Sequence, residues 1–216
     1  MKVGIDSYCF HRYFGDVYGH QTPPPFTMTV FDFLDFAGEM DVDGVSLESC
    51  FFPSHDNAFY DDLKARLDGY GFDRVYAWGH PDGLEAGRNE DAFHDMIKSI
   101  EYAARIGAPV MRICASSFSY RLEPHAPQMD KLVPWLKEGA KVAESYGVKL
   151  AAENHIDYTS SEWLELLERV DSPYMGLNLD TGNFVRLLDD PIDGARKLAD
   201  RVYATHIKDL MPARGV

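Results

Sequence analysis

Short apolar runs alternate with amphipathic segments along almost the whole chain, and this alternation limits the possible folds more than any other feature. Each run is rich in β-branched or aromatic residues and is nearly continuously apolar, as expected for strands covered on both faces. The runs predicted to form strands are residues 3–9, 44–49, 74–78, 110–114, 148–153, 175–180 and 202–206. Because they begin about 27 to 41 residues apart, single helices are expected to connect strands that pair in parallel.

The segments between these runs carry helical periodicity and helix-boundary residues. Apolar side chains recur at helical spacing within residues 93–104 and 133–143. A capping box is predicted at Thr159 with Glu162, and Asp190 followed by Pro191 predicts another helix start. Residues 10–26 and 115–127 are expected to be long loops over the strand ends.

Two architectures fit such a pattern, an open doubly wound sheet and a closed eight-stranded barrel. The first strand is followed by the residues YCFH rather than by a glycine-rich phosphate loop, which argues against a dinucleotide-binding sheet. Polar residues also cluster at the far end of nearly every predicted strand, as is typical of a barrel mouth. These residues are Asp6, Tyr8, Glu48, His80, Arg112, Glu153, His155, Asp180, His206 and Lys208. The sequence therefore predicts an α/β fold of the (β/α)8 TIM-barrel type.

The predicted barrel is truncated after its seventh strand. A complete barrel of this type usually needs about 250 residues, and the sequence has 216. We therefore expect a single domain over residues 1–216 that lacks the eighth strand. An open barrel would expose unpaired strand edges, so we expect either that the natural polypeptide continues past Val216 or that another chain supplies the strand.

Charge and composition argue against several classes of partner. The formal net charge of −14 is not offset by any basic cluster, so nucleic-acid binding is not expected. No signal peptide or long apolar segment is evident, which predicts a cytoplasmic protein without a membrane anchor. The cysteines, Cys9, Cys50 and Cys114, are widely separated and are expected to be free, buried thiols.

The segment AAENH places two functional side chains at the end of the fifth strand. Alternate residues of a strand share a face, so Glu153 and His155 are both expected to point into the barrel mouth. A carboxylate there is costly unless it is paired or binds a metal. The structural alternative is an ion pair between Glu153 and Arg112.

Asp180 and His206 end the next two strands, within the segments LDTGN and HIKD. Asp180 alone could simply cap the following helix, and a single histidine is more often hydrogen-bonded in a core. Two carboxylates and an imidazole on successive strands instead suit Mn²⁺, Mg²⁺, Co²⁺ or Zn²⁺, with oxygen-rich ligation favouring manganese. Such an ion could bind two adjacent sugar oxygens and stabilise an enediolate, with His155 as the general base or acid.

The ordered trio ENH, LDTGN and HIKD resembles the xylose isomerase-like barrel superfamily of sugar isomerases, epimerases and their relatives. The resemblance spans essentially the whole chain, and it implies that Glu153, Asp180 and His206 match the first three metal ligands of the family. The fourth ligand is usually a Glu on the eighth strand, which this sequence lacks. In ketose epimerases that Glu also belongs to the catalytic pair, and the resemblance implies a catalytic role for Glu153 as well.

Two local departures affect the predicted reaction. Epimerases commonly have a substrate-contacting His three residues after the ligand Asp, where this sequence has Asn183. The Glu-Asn-His run, with the His as base, resembles the catalytic subunits of C-glycoside deglycosidases, which cleave 3-keto glycosides by proton abstraction and elimination. The leading prediction is a metal-dependent sugar isomerase or epimerase, and the alternative is such a lyase with a partner subunit.

Further mouth residues are candidate sugar contacts, although local structural roles are equally compatible with the sequence. They are Tyr8, Glu48, His80, Arg112, Asn183 and Lys208. Trp78 could stack on a sugar ring, and Lys208 could orient a substrate oxygen or pair with Asp180. The partner is expected to be a small sugar or glycoside, with a homo-oligomer or a partner subunit left open.

Two further functions remain as alternatives. An endonuclease IV-like phosphodiesterase would need more His and carboxylate ligands for about three metals, and the net charge of −14 opposes DNA binding. A degenerate barrel that serves as a non-catalytic subunit is the other alternative, and the absent eighth strand is its main support.

Overall fold

A computed structural model of the protein describes residues 2–80 and 82–210. Within them lies one sheet of seven parallel strands that follow the chain in the order β1 to β7. The strands are β1 (Gly4–Asp6), β2 (Gly44–Glu48), β3 (Asp73–Ala77), β4 (Val110–Ile113), β5 (Lys149–Glu153), β6 (Met175–Asp180) and β7 (Val202–His206).

Helices occupy the segments between the strands. They are α1 (Val30–Gly38), α2 (Asn57–Tyr70), α3 (Glu90–Arg105), α4 (His125–Tyr146), α5 (Ser160–Val170) and α6 (Pro191–Leu198). The predicted capping box at Thr159 and Glu162 starts α5, and Asp190 caps α6 with Pro191 in its first turn. In the described residues, no helix is both long enough and apolar enough to cross a membrane.

The sheet is curled, which is the basis of a barrel. Strands β1 and β7 are its two edges, yet the side chains of Asp6 and His206, at the ends of these strands, lie 3.2 Å apart. Such a contact requires the edges to approach each other, so the predicted TIM-barrel fold without an eighth strand is confirmed for the described residues. The expected continuation past Val216 lies outside the residues that the structure describes.

The apolar core lies between the strands and the surrounding helices. Met111, Leu150 and Leu177 point to this side from β4, β5 and β6, and all three are fully buried. Gly139 lets α4 approach the sheet closely, since a Cβ there would lie 3.3 Å from Leu150. Burial of this layer removes the helix-facing side of the strands from water and is the main source of stability.

Several predicted boundaries and environments are corrected by the structure. The first strand ends at Asp6 rather than Cys9, because the chain enters a 3₁₀ helix, Ser7–Phe14, whose start Asp6 caps. The second predicted loop is shorter, since α4 already begins at His125. Only one of the three cysteines, Cys114, is buried, whereas Cys9 and Cys50 are exposed because the turns after β1 and β2 lie at the surface.

Candidate metal and active site

Glu153, Asp180 and His206 come together at the carboxyl ends of β5, β6 and β7. One ligand atom from each lies within 4.8 Å of the other two. The strand register explains this approach, because Asp180 pairs with His206 across β6 and β7, and Glu153 pairs with Asn178 across β5 and β6. Two buried carboxylates and a partly buried imidazole form a donor set that fits a divalent ion.

Asp180 serves both the turn after β6 and the cluster. Its Oδ1 accepts a hydrogen bond from the backbone N–H of Gly182 at 2.9 Å, and its Oδ2 lies 2.6 Å from Lys208 Nζ. A Cβ at Gly182 would lie 2.6 Å from Leu210 Cδ1, so the absence of a side chain lets residues 208–210 pack against this turn. Asp180 therefore closes the turn after β6, but it does not cap the following 3₁₀ helix (Phe184–Leu187), whose N-cap residue is Asn183.

Asn154 holds the ends of β5 and β6 together through the backbone of Asp180. Its Oδ1 accepts from the Asp180 N–H at 2.7 Å, and its Nδ2 donates to the Asp180 carbonyl at 3.0 Å. Sequence reasoning assigned this residue no role. Asn154 directly follows β5, and its side chain points to the helices. A buried amide at such a position needs hydrogen-bond partners, which is the feature that could have indicated its role.

The residues below the cluster form a buried charged network across the interior of the sheet. Arg112 on β4 donates to Glu48 on β2 and lies 3.6 Å from Glu153 Oε2. The intervening strand contributes Ala77, which is paired in register with both Glu48 and Arg112, so a small side chain leaves space for this contact. The predicted ion pair of Glu153 with Arg112 thus coexists with the metal-type cluster.

The electrostatics of the network follow from these partners. Burial alone would raise the pKa of Glu153, but the hydrogen bond of His206 and the charge of Arg112 lower it to about 2. Burial alone would lower the pKa of His206, yet contacts with Asp6 and Glu153 raise it to about 9. Glu153 is therefore ionised at neutral pH, as metal ligation requires.

His155 lies beside the cluster without joining it. It is half-buried, burial lowers its pKa, and its Nδ1 has no hydrogen-bond partner among the described residues. The next residue, Ile156, has a φ of 62°, which is strained for a β-branched side chain. Such strain is common where a functional side chain is held in place.

The remaining predicted contact residues fall into different environments. Lys208 Nζ donates to Asn183 Oδ1 at 3.1 Å, so both lie next to Asp180. Tyr8 contacts the hydroxyl of Tyr18 and stacks on His11 at 5.1 Å, and His80 stacks on Trp78 at 5.2 Å. Their contacts with substrate stay a prediction, as do those of Glu48 and Arg112.

The suggestion that Trp78 stacks on a sugar is wrong. Its side chain is only 1% exposed, and its Nε1 donates to Asp95 of α3 at 2.8 Å. Trp78 follows Tyr76 by two residues, so both point to the helix side of the sheet.

Asp6 was named only as a polar strand end, although it contacts His206 directly. Its signal was a carboxylate on the inward face of β1.

Comparisons with known proteins agree with this architecture. A sequence model described as xylose isomerase-like TIM barrel matches residues 34–216. Among solved structures, D-psicose 3-epimerase in the presence of D-fructose superposes with a TM-score of 0.78 at 14% identity, covering 100% of this chain and 77% of that one. At that identity the likeness shows the fold alone.

Curated relatives match over shorter stretches. The chain is 32% identical over 90 residues to 3-oxo-isoapionate decarboxylase of Pectobacterium atrosepticum, covering 42% of this chain and 33% of that relative. It is 39% identical over 92 residues to the C-glycoside deglycosidase alpha subunit of Arthrobacter globiformis, covering 40% of this chain and 21% of that relative. Each match therefore spans a third or less of the curated relative.

Proposed function

The chain belongs to the xylose isomerase-like TIM barrel family, and from that premise we propose that it is a divalent-metal-dependent sugar isomerase or epimerase. The observation that carries the proposal is the cluster of Glu153, Asp180 and His206, with ligand atoms within 4.8 Å of one another. The names of the similar proteins, an epimerase, a decarboxylase and a deglycosidase subunit, support carbohydrate chemistry at such a site.

The donor set fits the proposed ion by its chemistry. Glu153 and Asp180 are buried carboxylates, and His206 adds one nitrogen ligand. An oxygen-rich set with one imidazole favours Mn²⁺, with Mg²⁺, Co²⁺ and Zn²⁺ as alternatives. When bound, the ion supplies Lewis-acid stabilisation of negative charge on the substrate oxygens.

His155 is the proposed base, with Glu153 as the second catalytic group. The C–H bond beside the substrate carbonyl breaks, its proton passes to the imidazole of His155, and its electron pair becomes the double bond of an enediolate. Return of the proton from His155 to the neighbouring carbon, while the hydroxyl proton of that carbon moves to the former carbonyl oxygen, gives an isomer. Protonation of the first carbon on its opposite face, which requires a second acid there, gives an epimer. Glu153 orients the sugar oxygens from the ion side of the site.

Lys208 and Asn183 are the proposed contacts for substrate oxygens. The ammonium of Lys208 lies between Asp180 Oδ2 and Asn183 Oδ1, at 2.6 and 3.1 Å, and its side chain is 45% exposed. A donor held in this way at the edge of the cluster can reach a sugar hydroxyl or carbonyl without being fully desolvated. Further proposed contacts of the sugar are Tyr8, Glu48, His80 and Arg112.

A second candidate is lyase-type cleavage of 3-keto glycosides, acting with a partner subunit. It is favoured by the 39% identity to a C-glycoside deglycosidase alpha subunit and by His155, two residues after Glu153. The same first step serves both reactions, because removal of a proton beside a keto group precedes either reprotonation or loss of the aglycone.

Exchange of substrate hydrogen with solvent tests the proposal. The Mn²⁺-loaded protein is incubated with a panel of ketoses in D₂O, and deuterium at the carbon beside the carbonyl is followed by NMR. Incorporation is expected for the wild type and for His94→Ala, an exposed histidine of α3, but not for His155→Ala. A 3-keto glycoside is tested in parallel. Aglycone release without exchange into any ketose would overturn the isomerase assignment in favour of the lyase.

A further inference from the structure

The two edges of the sheet are joined by a side-chain contact that the proposed reaction does not use. Asp6 is the last residue of β1, His206 is the last residue of β7, and Asp6 Oδ2 lies 3.2 Å from His206 Nε2. The strands that carry them are not neighbours in the sheet order. Backbone pairing between β1 and β7 therefore does not produce this contact, which depends on the curl of the sheet and on the two side chains.

The two ring nitrogens of His206 have different partners. Nδ1 lies 3.4 Å from Glu153 Oε1, whereas Nε2 lies 3.2 Å from Asp6 Oδ2. Because the two nitrogens point in diverging directions from the ring, Nδ1 faces the cluster that contains Glu153, and Nε2 faces away from it. Asp6 therefore lies on the opposite side of the imidazole from the proposed ion.

A histidine ligand has a strict proton requirement. A neutral imidazole carries one N–H, so a nitrogen that gives its lone pair to an ion forces the proton onto the other nitrogen. Histidine ligands usually donate that N–H to a carboxylate or carbonyl, which fixes both the tautomer and the ring orientation. For His206 with Nδ1 toward the cluster, the N–H is at Nε2 and needs an acceptor.

Asp6 has the geometry of that acceptor. Its Oδ1 accepts from the backbone N–H of Tyr8 at 2.7 Å, so one carboxylate oxygen anchors the side chain to the start of the 3₁₀ helix. Its other oxygen, Oδ2, is buried, has no hydrogen-bond partner among the described residues and lies 3.2 Å from His206 Nε2, so it is free to accept the N–H. The carboxylate is thus held rigidly with one oxygen left for the histidine.

We propose that Asp6 is a positioning residue that accepts the Nε2–H of His206 and fixes the tautomer that leaves Nδ1 free to bind the divalent ion. The proposal rests on the metal site put forward above. It gives the first strand a function in the site although none of the three cluster residues lies on it. A carboxylate suits this role, because a charged acceptor forms a stronger hydrogen bond than a neutral one.

Metal affinity and NMR together test this assignment. Zn²⁺ is titrated by calorimetry into the wild type, Asp6→Ala, Asp6→Asn and the matched control Asp62→Asn, an exposed aspartate of α2. Loss of such an outer acceptor typically weakens metal binding about 10- to 100-fold, which is expected for Asp6→Ala. Asp6→Asn keeps an acceptor oxygen and is expected to recover most of the affinity, while the control is unchanged.

The imidazole N–H signal distinguishes positioning from a general effect on folding. In ¹⁵N-histidine-labelled protein, His206 is expected to show a slowly exchanging Nε2–H that is lost in Asp6→Ala and shifted in Asp6→Asn. An Nε2–H unmoved in Asp6→Asn overturns the proposal even if Asp6→Ala does not fold. Asp6→Asn that loses Zn²⁺ as fully as Asp180→Ala also overturns it, because Asp6 would then be a ligand. If the wild type binds no Zn²⁺, the proposed function is contradicted. The role of Asp6 is tested separately, because the Nε2–H signal is also measured in metal-free protein.

Discussion

The two faces of the same strands have opposite chemistry. On β6, Leu177 points to the helices and is fully buried, whereas Asn178 and Asp180 point into the curled sheet. On β4, Met111 faces the helices and Arg112 faces inward, where it contacts Glu48. The helix-facing side is arranged for packing, and the inward side holds charges together at a cost in desolvation that the partners must offset.

Two carboxylates near the end of β5 show how much this difference matters. Glu153 faces inward between Arg112 and His206, and its pKa falls to about 2. Asp157, four residues later, is fully buried, and among the described residues it has no ion-pair partner. Burial raises its pKa to about 8. Burial without a charged partner thus raises the pKa of Asp157, whereas the charged network lowers the pKa of Glu153.

The largest effect is expected from removing the central carboxylate of the inward face. Asp180→Ala should lose the bound ion and metal-dependent turnover, because the cluster would keep only one carboxylate and one imidazole. Its free energy of unfolding should stay close to that of the wild type, because the ammonium of Lys208, which loses its contact with Asp180, can be reached by water. Elemental analysis and thermal unfolding measure the two quantities, and equal metal in the variant and the wild type would refute the assignment.

A smaller loss of turnover is expected when the proposed base is removed. His155→Ala should lower kcat about 100-fold or more, the usual scale for general acid–base catalysis. Its metal content should stay near that of the wild type, because His155 lies beside the cluster and not within it. Unchanged turnover would give His155 a structural role and would weaken the likeness to the deglycosidase subunit.

The opposite face should respond in stability and not in chemistry. Leu177→Ala is expected to lower the free energy of unfolding by about 2–5 kcal/mol, as for other fully buried leucines. Metal stoichiometry of the folded protein should not change, since Leu177 points away from the cluster. Denaturant unfolding with parallel elemental analysis checks both parts. If Leu177→Ala lost the ion but kept its stability, the helix-facing side would affect the metal site, which would contradict the proposed difference between the two faces.

The last effect concerns Asp157 and appears only as pH changes. An unfolded aspartate titrates near pH 4 (about 3.9), whereas the folded pKa is about 8. The folded state therefore holds the proton more tightly, so this contribution to stability is full below the unfolded pKa and is lost as pH rises through 8. The melting temperature of Asp157→Asn should fall less than that of the wild type between about pH 5 and pH 9. Parallel curves for the two proteins would show that Asp157 is ionised throughout.

Much of the fold was predictable because its signals are local. Continuous apolar runs located the strands, and the side chains of Thr159 and Asp190 located helix starts. The approach of Glu153, Asp180 and His206 also follows from sequence, since residues that end neighbouring parallel strands must meet at one edge of the sheet.

Two of the missed features depend on contacts between distant parts of the chain. The contact between Asp6 and His206 requires the sheet to curl until its edges approach, and nothing near either residue reports that curvature. The buried position of Trp78 follows from its alternation with Tyr76, because both side chains point to the helix-facing side of the sheet. The role of Asn154 depends on the backbone of another strand, 26 residues away in sequence.

Anomalous diffraction from crystals soaked in Mn²⁺ tests the central claim most directly. We predict one manganese peak at the carboxyl ends of β5, β6 and β7, within ligand distance of Glu153, Asp180 and His206. His206 should coordinate through Nδ1, with Nε2 directed at Asp6. A peak at another location, or no peak in crystals of active protein, would contradict the account of this site.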